Sequence, residues 1–271
     1  MRFPREFKPK PTNWKLVLTS PIALAALLFP LIASPVAQAV DESPAPSPSP
    51  VTSVSPTADP SPSPSVSTIP PTTDVPRTSL YNTDAASSLQ VVVNKKRPLN
   101  PIDYQPKGKV QIGYAWVAKP AADAYSQLKA AVSAKKLGTL CINSGYRSFA
   151  SQKIIHAAKV AQLGKTAGER LAARPGHSEH QTGLAIDVST TQLGCRIGPF
   201  GSSKASKWIA ENAWQYGFIV RYPSNAKTPI TGYVWEPGHL RFVGVELATD
   251  MRSKKITTLE EFFGLPAAPK Y

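Results

Sequence analysis

The stretch from Asp41 to Thr78 constrains this chain more than any other. It is dominated by Pro, Ser and Thr ("DESPAPSPSPVTSVSPTADPSPSPSVSTIPPTTDVP"). So few apolar groups cannot offset the entropy lost on ordering. Its prolines favour an extended, semi-rigid, polyproline-like spacer. The 271 residues therefore cannot form one compact unit. They divide into a leader, residues 1–39, a disordered linker, residues 40–83, and a folded region, residues 84–271, ample for one core.

Ahead of the spacer, Arg2, Arg5, Lys8, Lys10 and Lys15 precede an apolar run from Leu16 to Ala33. Ala37 and Ala39 then have the small-x-small spacing of a signal-peptidase site, which predicts export with cleavage after Ala39. The competing reading is an uncleaved membrane anchor. The run is only marginally long enough to span a bilayer, and Pro21 and Pro30 interrupt it. In an exported chain, the two cysteines, Cys141 and Cys195, predict one disulfide rather than two buried thiols. The formal charge is +14, and the five basic groups and one acid of the leader leave +10 without it. Such a chain is drawn to polyanions. No arginine-rich stripe or recognition-helix pattern appears, which argues against nucleic acid. Anionic wall polymers or lipid headgroups fit better. The expected location is secreted or bound to a Gram-positive envelope, with membrane contact only through an uncleaved leader.

The folded region mixes helices and strands without regular βαβ alternation, which predicts α+β with a small antiparallel sheet and flanking helices. A helix is expected over "KPAADAYSQLKAAVSAKKLG", burying Tyr125, Leu128 and Val132 and stopped by Gly138. "TLCIN" reads as a strand. "SFASQKIIHAAKVAQLG" reads as a second helix, with Phe149, Ile155 and Ala158 near one face. "GLAIDVS" alternates as a strand, "SSKASKWIAENAWQYG" as one long helix, and "FIVRY" and "HLRFV" as strands. Thr258 and Glu261 have capping-box spacing.

The chemistry concentrates in "RPGHSEHQTGLAIDVS", which holds two of the four histidines. Along its strand Leu184, Ile186 and Val188 face one way and Asp187 the other. A buried carboxylate there needs a partner, and a cation shared with His180 is one candidate, as is an ordinary salt bridge. Downstream, "GYVWEPGHLRFVG" places Glu236 near His239. Pro237 pushes Glu236 out of helical conformation, so this segment is extended. Two histidines and a carboxylate form a three-ligand set with a fourth position left for water. Glu236 is then the candidate general base. "NSGYRSFASQ" puts Arg147 in a turn and Gln152 on the following helix. A guanidinium suits a carboxylate or developing oxyanion.

"YRSFASQ", "RPGHSEHQTGLAID", "WIAENAWQYGFIVRYP" and "TGYVWEPGHLRFVG", in order between about Leu89 and Gly244, resemble the VanY family of zinc D-alanyl-D-alanine carboxypeptidases. The resemblance implies the small hedgehog-like peptidase fold and the trimming of peptidoglycan stem peptides outside the cytoplasm. It implies Zn2+ on His180, Asp187 and His239, Glu236 as base and Arg147 at the oxyanion. It also implies Gln152, Ser178 and Tyr222 against the substrate. Many relatives have Trp where this chain has Gly238, which predicts a missing pocket-lining ring that Trp235 partly replaces. Rival readings are an L,D-carboxypeptidase or endopeptidase on peptidoglycan, and a non-catalytic zinc-containing wall-binding module. Glu179 reads as a loop ion pair or a support behind the ligands. His177 falls outside the ligand pattern, with no assigned purpose.

Overall fold

The computed structural model describes residues 80–271. The leader and the spacer up to residue 79, with the export and cleavage expected there, lie outside the described residues. No helix among the described residues is long and apolar enough to cross a membrane. Packing already includes Tyr81, whose ring meets Phe262 and Phe263.

The elements run β1 (Lys109–Ile112), β2 (Ala115–Ala118), α1 (Lys119–Ala134), β3 (Leu140–Ser144), α2 (Phe149–Leu163), α3 (Lys165–Gly168) and β4 (Ala185–Thr190). Then follow α4 (Lys204–Asn212), β5 (Phe218–Tyr222), α5 (Thr228–Thr231), β6 (Glu236–Phe242), α6 (Val245–Ser253) and α7 (Leu259–Phe262). Strands β3, β4, β6 and β5 form, in that order, one sheet that is antiparallel throughout. This is the expected α+β architecture. The β1–β2 hairpin was not anticipated. Its two-residue turn has Gly113 at φ 60, and glycine at the first central position is the available signal.

The sheet has two unlike faces because side chains alternate along each strand. Leu184, Ile186, Val188, Phe218, Leu240 and Phe242 face the main core, against Tyr125, Leu128 and Val132 of α1 and Ile209 of α4. The opposite face carries Asp187, His239 and Arg241, with Asp187 paired to His239 and Ala185 to Arg241. The polar face therefore becomes the site.

Three helices differ from their sequence patterns. Helix α1 ends before Gly138: Lys136 takes φ 56, its N–H bonds Ser133 O, and the N–H of Leu137 bonds Val132 O. This is a Schellman end with lysine in the place usually held by glycine. Helix α2 buries only Gln152, so the face expected from Phe149, Ile155 and Ala158 is not core; Ala158 is exposed. The helix expected across residues 202–217 stops at Asn212, and a 3-10 turn, Ala213–Tyr216, completes it before Gly217 at φ 77.

Cys141 and Cys195 are joined, closing a loop of 54 residues in sequence separation. The same loop is tied by Asn143 Nδ2 to Cys195 O at 2.7 Å and by Ser189 Oγ to Arg196 O at 2.6 Å. Loop-closure entropy for a ring of that size is about 4 kcal/mol. Replacing both cysteines by serine should lower unfolding free energy by roughly 2–5 kcal/mol, read from denaturant midpoints, and leave the helix and strand content unchanged.

Candidate metal centre

Three short segments converge on the polar face of the sheet. The first is the turn after β3. A Cβ at Gly145 would strike the Trp116 carbonyl of β2, so only glycine lets the turn approach the hairpin this closely. That approach sets Gly145 O 2.7 Å from His180 Nδ1. The second is a 3-10 turn, Glu179–Thr182, closed by Gly183 at φ 72. Gly183 turns the chain toward β4, two residues on, and puts His180 over Asp187. The third is β6, extended from Glu236 as Pro237 requires.

His180, Asp187 and His239 each offer a ligand atom, and these atoms lie within 4.8 Å of one another. Asp187 Oδ2 is 3.3 Å from His180 Nε2, and its Oδ1 is 3.1 Å from His239 Nδ1. The two imidazoles stand edge to face, 4.9 Å between centroids. The outer nitrogens are held from behind. His180 Nδ1 meets the Gly145 carbonyl, and His239 Nε2 lies 3.3 Å from Glu179 Oε2. This arrangement turns His180 Nε2 and His239 Nδ1 inward as lone pairs, the support usual behind metal-binding imidazoles. His180 Nε2 is buried without a hydrogen-bond partner. The donor set and this orphaned nitrogen fit a cation such as zinc.

Glu236 Oε2 lies 3.8 Å from His239 Nδ1. Burial, reinforced by Asp187, pushes its carboxyl up to about 7, against the pull of His239 and Arg147. Burial, with Arg147 adding to it, lowers His180 to about 4. In His239 burial is outweighed by hydrogen bonds to Asp187 and Glu179, which raise it to about 9. Arg147 donates to Gln152 Oε1 at 3.1 Å and stands 3.8 Å from Asp187 Oδ2. Gln152 is buried, and its amide also donates to Ala173 O at 2.7 Å. Arg147, Gln152, Ser178, Tyr222, Glu236 and both inward histidines line one cleft. The residues singled out in sequence thus come together.

What the sequence understated is Glu179. It is 2% exposed. Its Oε1 accepts from Arg221 Nε at 2.8 Å and Arg241 Nη1 at 2.9 Å. Arg221 also makes a two-point contact with Glu260, at 3.0 and 2.7 Å. Arg241 gives its remaining donors to Leu89 O, Val91 O and Phe242 O. Burial alone would raise Glu179, but Arg221 and Arg241 hold it far below the usual carboxylate range. "FIVRY" and "HLRFV" gave no sign of two arginines with no exposed surface.

Two expectations are corrected. Gly238 does not face the cleft. Beside His239 on β6 it points to the opposite face, where an added Cβ would come 2.6 Å from Val188 O and 3.4 Å from the Phe200 ring. No ring is missing from the cleft at this position. Nor does Trp235 stand in for one. It lines a separate apolar groove with Pro237, Trp214 and Met251. His177 also stays out of the centre, with Nδ1 2.9 Å from Asn94 O and its ring edge-on to Tyr271.

Two imidazoles and an aspartate at the polar face of a small antiparallel sheet, with the Glu236 carboxyl beside them, are a donor set of the metallohydrolase type. Comparison with known proteins agrees. The family model described as VanY, D-alanyl-D-alanine carboxypeptidase, matches residues 115–245. A putative carboxypeptidase of Bacillus subtilis (strain 168), YodJ, is 40% identical over 188 residues, covering 65% of this chain and 67% of its own length. The chain spans smaller shares, 35% to 63%, of the enterococcal D-alanyl-D-alanine carboxypeptidases it also matches. Among solved structures, the LdcB LD-carboxypeptidase is 38% identical with a TM-score of 0.61, covering 66% of this chain and 87% of its own. A mutant of the vancomycin resistance D,D-pentapeptidase VanY, in complex with Zn(II), is 31% identical with a TM-score of 0.55, covering 65% and 98%. The chain belongs to the VanY family of D-alanyl-D-alanine carboxypeptidases, with the small hedgehog-like fold of these neighbours.

Removing the Glu179 carboxylate would leave the buried Arg241 without its counter-charge and Arg221 with Glu260 alone. Glu179→Ala should cost about 3–5 kcal/mol of stability. Asp84→Ala, which breaks the exposed pair with Arg97 at 2.6 Å, should cost no more than about 1 kcal/mol. Urea titration of the two variants checks the contrast.

Proposed function

We propose that this protein is a zinc-dependent D-alanyl-D-alanine carboxypeptidase acting outside the cytoplasm, removing the terminal D-Ala from peptidoglycan stem peptides. The observation that carries the reading is the convergence of His180 Nε2, Asp187 and His239 Nδ1, each imidazole held from behind, with Glu236 alongside. The Zn(II) bound by the VanY neighbour supports the same choice of metal.

His180, Asp187 and His239 would hold the zinc, which supplies a Lewis acid and lowers the pKa of a bound water to about 7 in well-studied sites. Glu236 takes the proton from the attacking water as its oxygen adds to the penultimate carbonyl carbon. The same carboxyl returns that proton to the amide nitrogen as the C–N bond breaks, releasing the terminal amine. Arg147, braced by Gln152, presents its guanidinium to the developing oxyanion. Gln152 retains one amide hydrogen for the substrate carboxylate, beside Ser178. Tyr222 packs 4.9 Å from the His239 ring and walls the pocket. Glu179 keeps the Nε2 proton of His239 in place, so that Nδ1 remains the ligand.

A second reading, L,D-carboxypeptidase, is favoured by one observation. The LdcB LD-carboxypeptidase has higher identity and a higher TM-score than the VanY neighbour. Muropeptides with pentapeptide and tetrapeptide stems separate the two readings. Loss of D-Ala from the pentapeptide alone, abolished by chelator, is expected; loss from the tetrapeptide alone would transfer the assignment. Bound zinc with no release from either stem would leave a wall-binding module.

Glu236→Ala should retain zinc by elemental analysis while turnover falls by a factor on the order of 10²–10⁴; undiminished turnover would remove Glu236 from its role. Alanine at His180, Asp187 or His239 should instead empty the site. Glu179→Gln should weaken zinc binding by about 10–100-fold, measured by competition with a chromogenic chelator.

A further inference from the structure

One wall of the cleft is built from backbone that belongs to no helix or strand. Between Gly168 and Glu179 the chain is irregular, yet Leu171, Ala172, Ala173 and Ser178 line the cleft together with Tyr233. Local turns supply part of its shape, as where Ala172 N–H bonds Gly168 O and His177 N–H bonds Arg174 O, and partners from elsewhere supply more. Gln152 supplies one at Ala173 O, and Gln181 Oε1 another at the N–H of Gly176, 3.1 Å away.

The N–H of Leu99 bonds Gly176 O at 2.8 Å, His177 Nδ1 meets Asn94 O, and a further partner comes from residues 265–271, which lie beyond the family match. Tyr271 Oη accepts the N–H of Arg174 at 2.7 Å and is 3.2 Å from the Tyr233 hydroxyl. Having accepted from Arg174, it is free to donate to Tyr233. Its ring lies 4.1 Å under the Arg174 guanidinium and takes the edge of His177 at 5.0 Å. The segment itself is anchored. Ala268 is fully buried and donates to Ile230 O at 2.7 Å. Lys95, also buried, gives its Nζ to Gly232 O at 2.7 Å and to Pro269 O at 3.3 Å. The same Nζ sits 4.9 Å over the Tyr233 ring. From Tyr233 the contacts run inward: its ring is 4.8 Å from Tyr222, which is 4.9 Å from His239.

We propose that Tyr271 is a positioning residue for substrate: by fixing Arg174 and Tyr233 at once, it sets the wall of residues 171–178 against which the peptide lies. His177 acts with it, as the edge-on support of its ring. Tyr271 touches neither the candidate ligands nor Glu236, so it governs how well the peptide is held rather than how fast it is cut. This inference rests on the reading of the cleft as the substrate site.

The test uses full-length Tyr271→Ala and Tyr271→Phe. Tyr271→Ala should raise KM for the stem peptide by roughly tenfold, about the effect of one or two hydrogen bonds, with kcat within about twofold and zinc content unchanged. Tyr271→Phe keeps the ring between Arg174 and His177 and loses both hydroxyl contacts, so its KM should fall between wild type and alanine. Hydrogen exchange of residues 171–178 should quicken in the same order. An unchanged KM in Tyr271→Ala overturns the proposal, as does a loss confined to kcat or zinc content. If the wild-type protein cleaves no stem peptide, the proposed activity fails by itself. Exchange at 171–178 then decides the positioning role alone, and no difference between wild type and Tyr271→Ala sinks it.

Discussion

The structure turns on one buried carboxylate. Glu179 accepts from Arg221 on β5 and Arg241 on β6 and reaches His239 with its other oxygen. Each ion taken from water carries a desolvation cost of several kcal/mol, recovered only with good geometry and further hydrogen bonds. Here every guanidinium nitrogen of Arg221 and Arg241 has at least one acceptor. Glu260 takes the far side of Arg221, and Asn94 donates to Glu260 at 2.9 Å. Main-chain carbonyls of Leu89, Val91 and Phe242 also accept from Arg241. Two positive and two negative groups balance. The cluster ties the segment before β1, the turn before β4, two strands and α7 into one body.

This cluster also explains why the polar face of the sheet is rigid enough to act. Hydrophobic packing serves the opposite face, where Ile186, Val188 and Leu240 are wholly buried. On the other face Ile219 and Val243 join a second apolar cluster with Leu247 and Met251, and around the candidate ligands charged hydrogen bonds do the fixing. Such bonds are directional, and they leave His239 one orientation. The two imidazoles are held differently, one by a neutral carbonyl and one by a carboxylate, so their electronic surroundings are unlike.

Much of the site was legible in the sequence because its residues sit in short segments whose backbone is dictated locally. Pro237 forces the extended entry to β6, and Gly183 ends the turn that carries His180. Alternation in "GLAIDVS" set Asp187 apart from the apolar row. Alternation could not reveal Arg221 and Arg241, because a charged residue opposite the core face of a strand ordinarily reads as solvated. Gly238 misled because it lies between two residues of the cleft, Glu236 and His239, yet turns to the far face next to His239. The apolar positions of α2 suggested a buried stripe, yet its one buried side chain is the polar Gln152. Ile154 remains 72% exposed. Tertiary placement decided that helix, and no local pattern carries it.

The pairing of Asp187 with His239 across β4 and β6 has a consequence for how the molecule matures. A one-residue slip between these strands would send one of the two side chains to the other face, and the three donors would never meet. A cation that needs all three can load only onto a sheet whose strands have found their proper partners. A cation held by all three residues, as proposed, would add a cross-strand clasp to the correct alignment and none to a misaligned sheet.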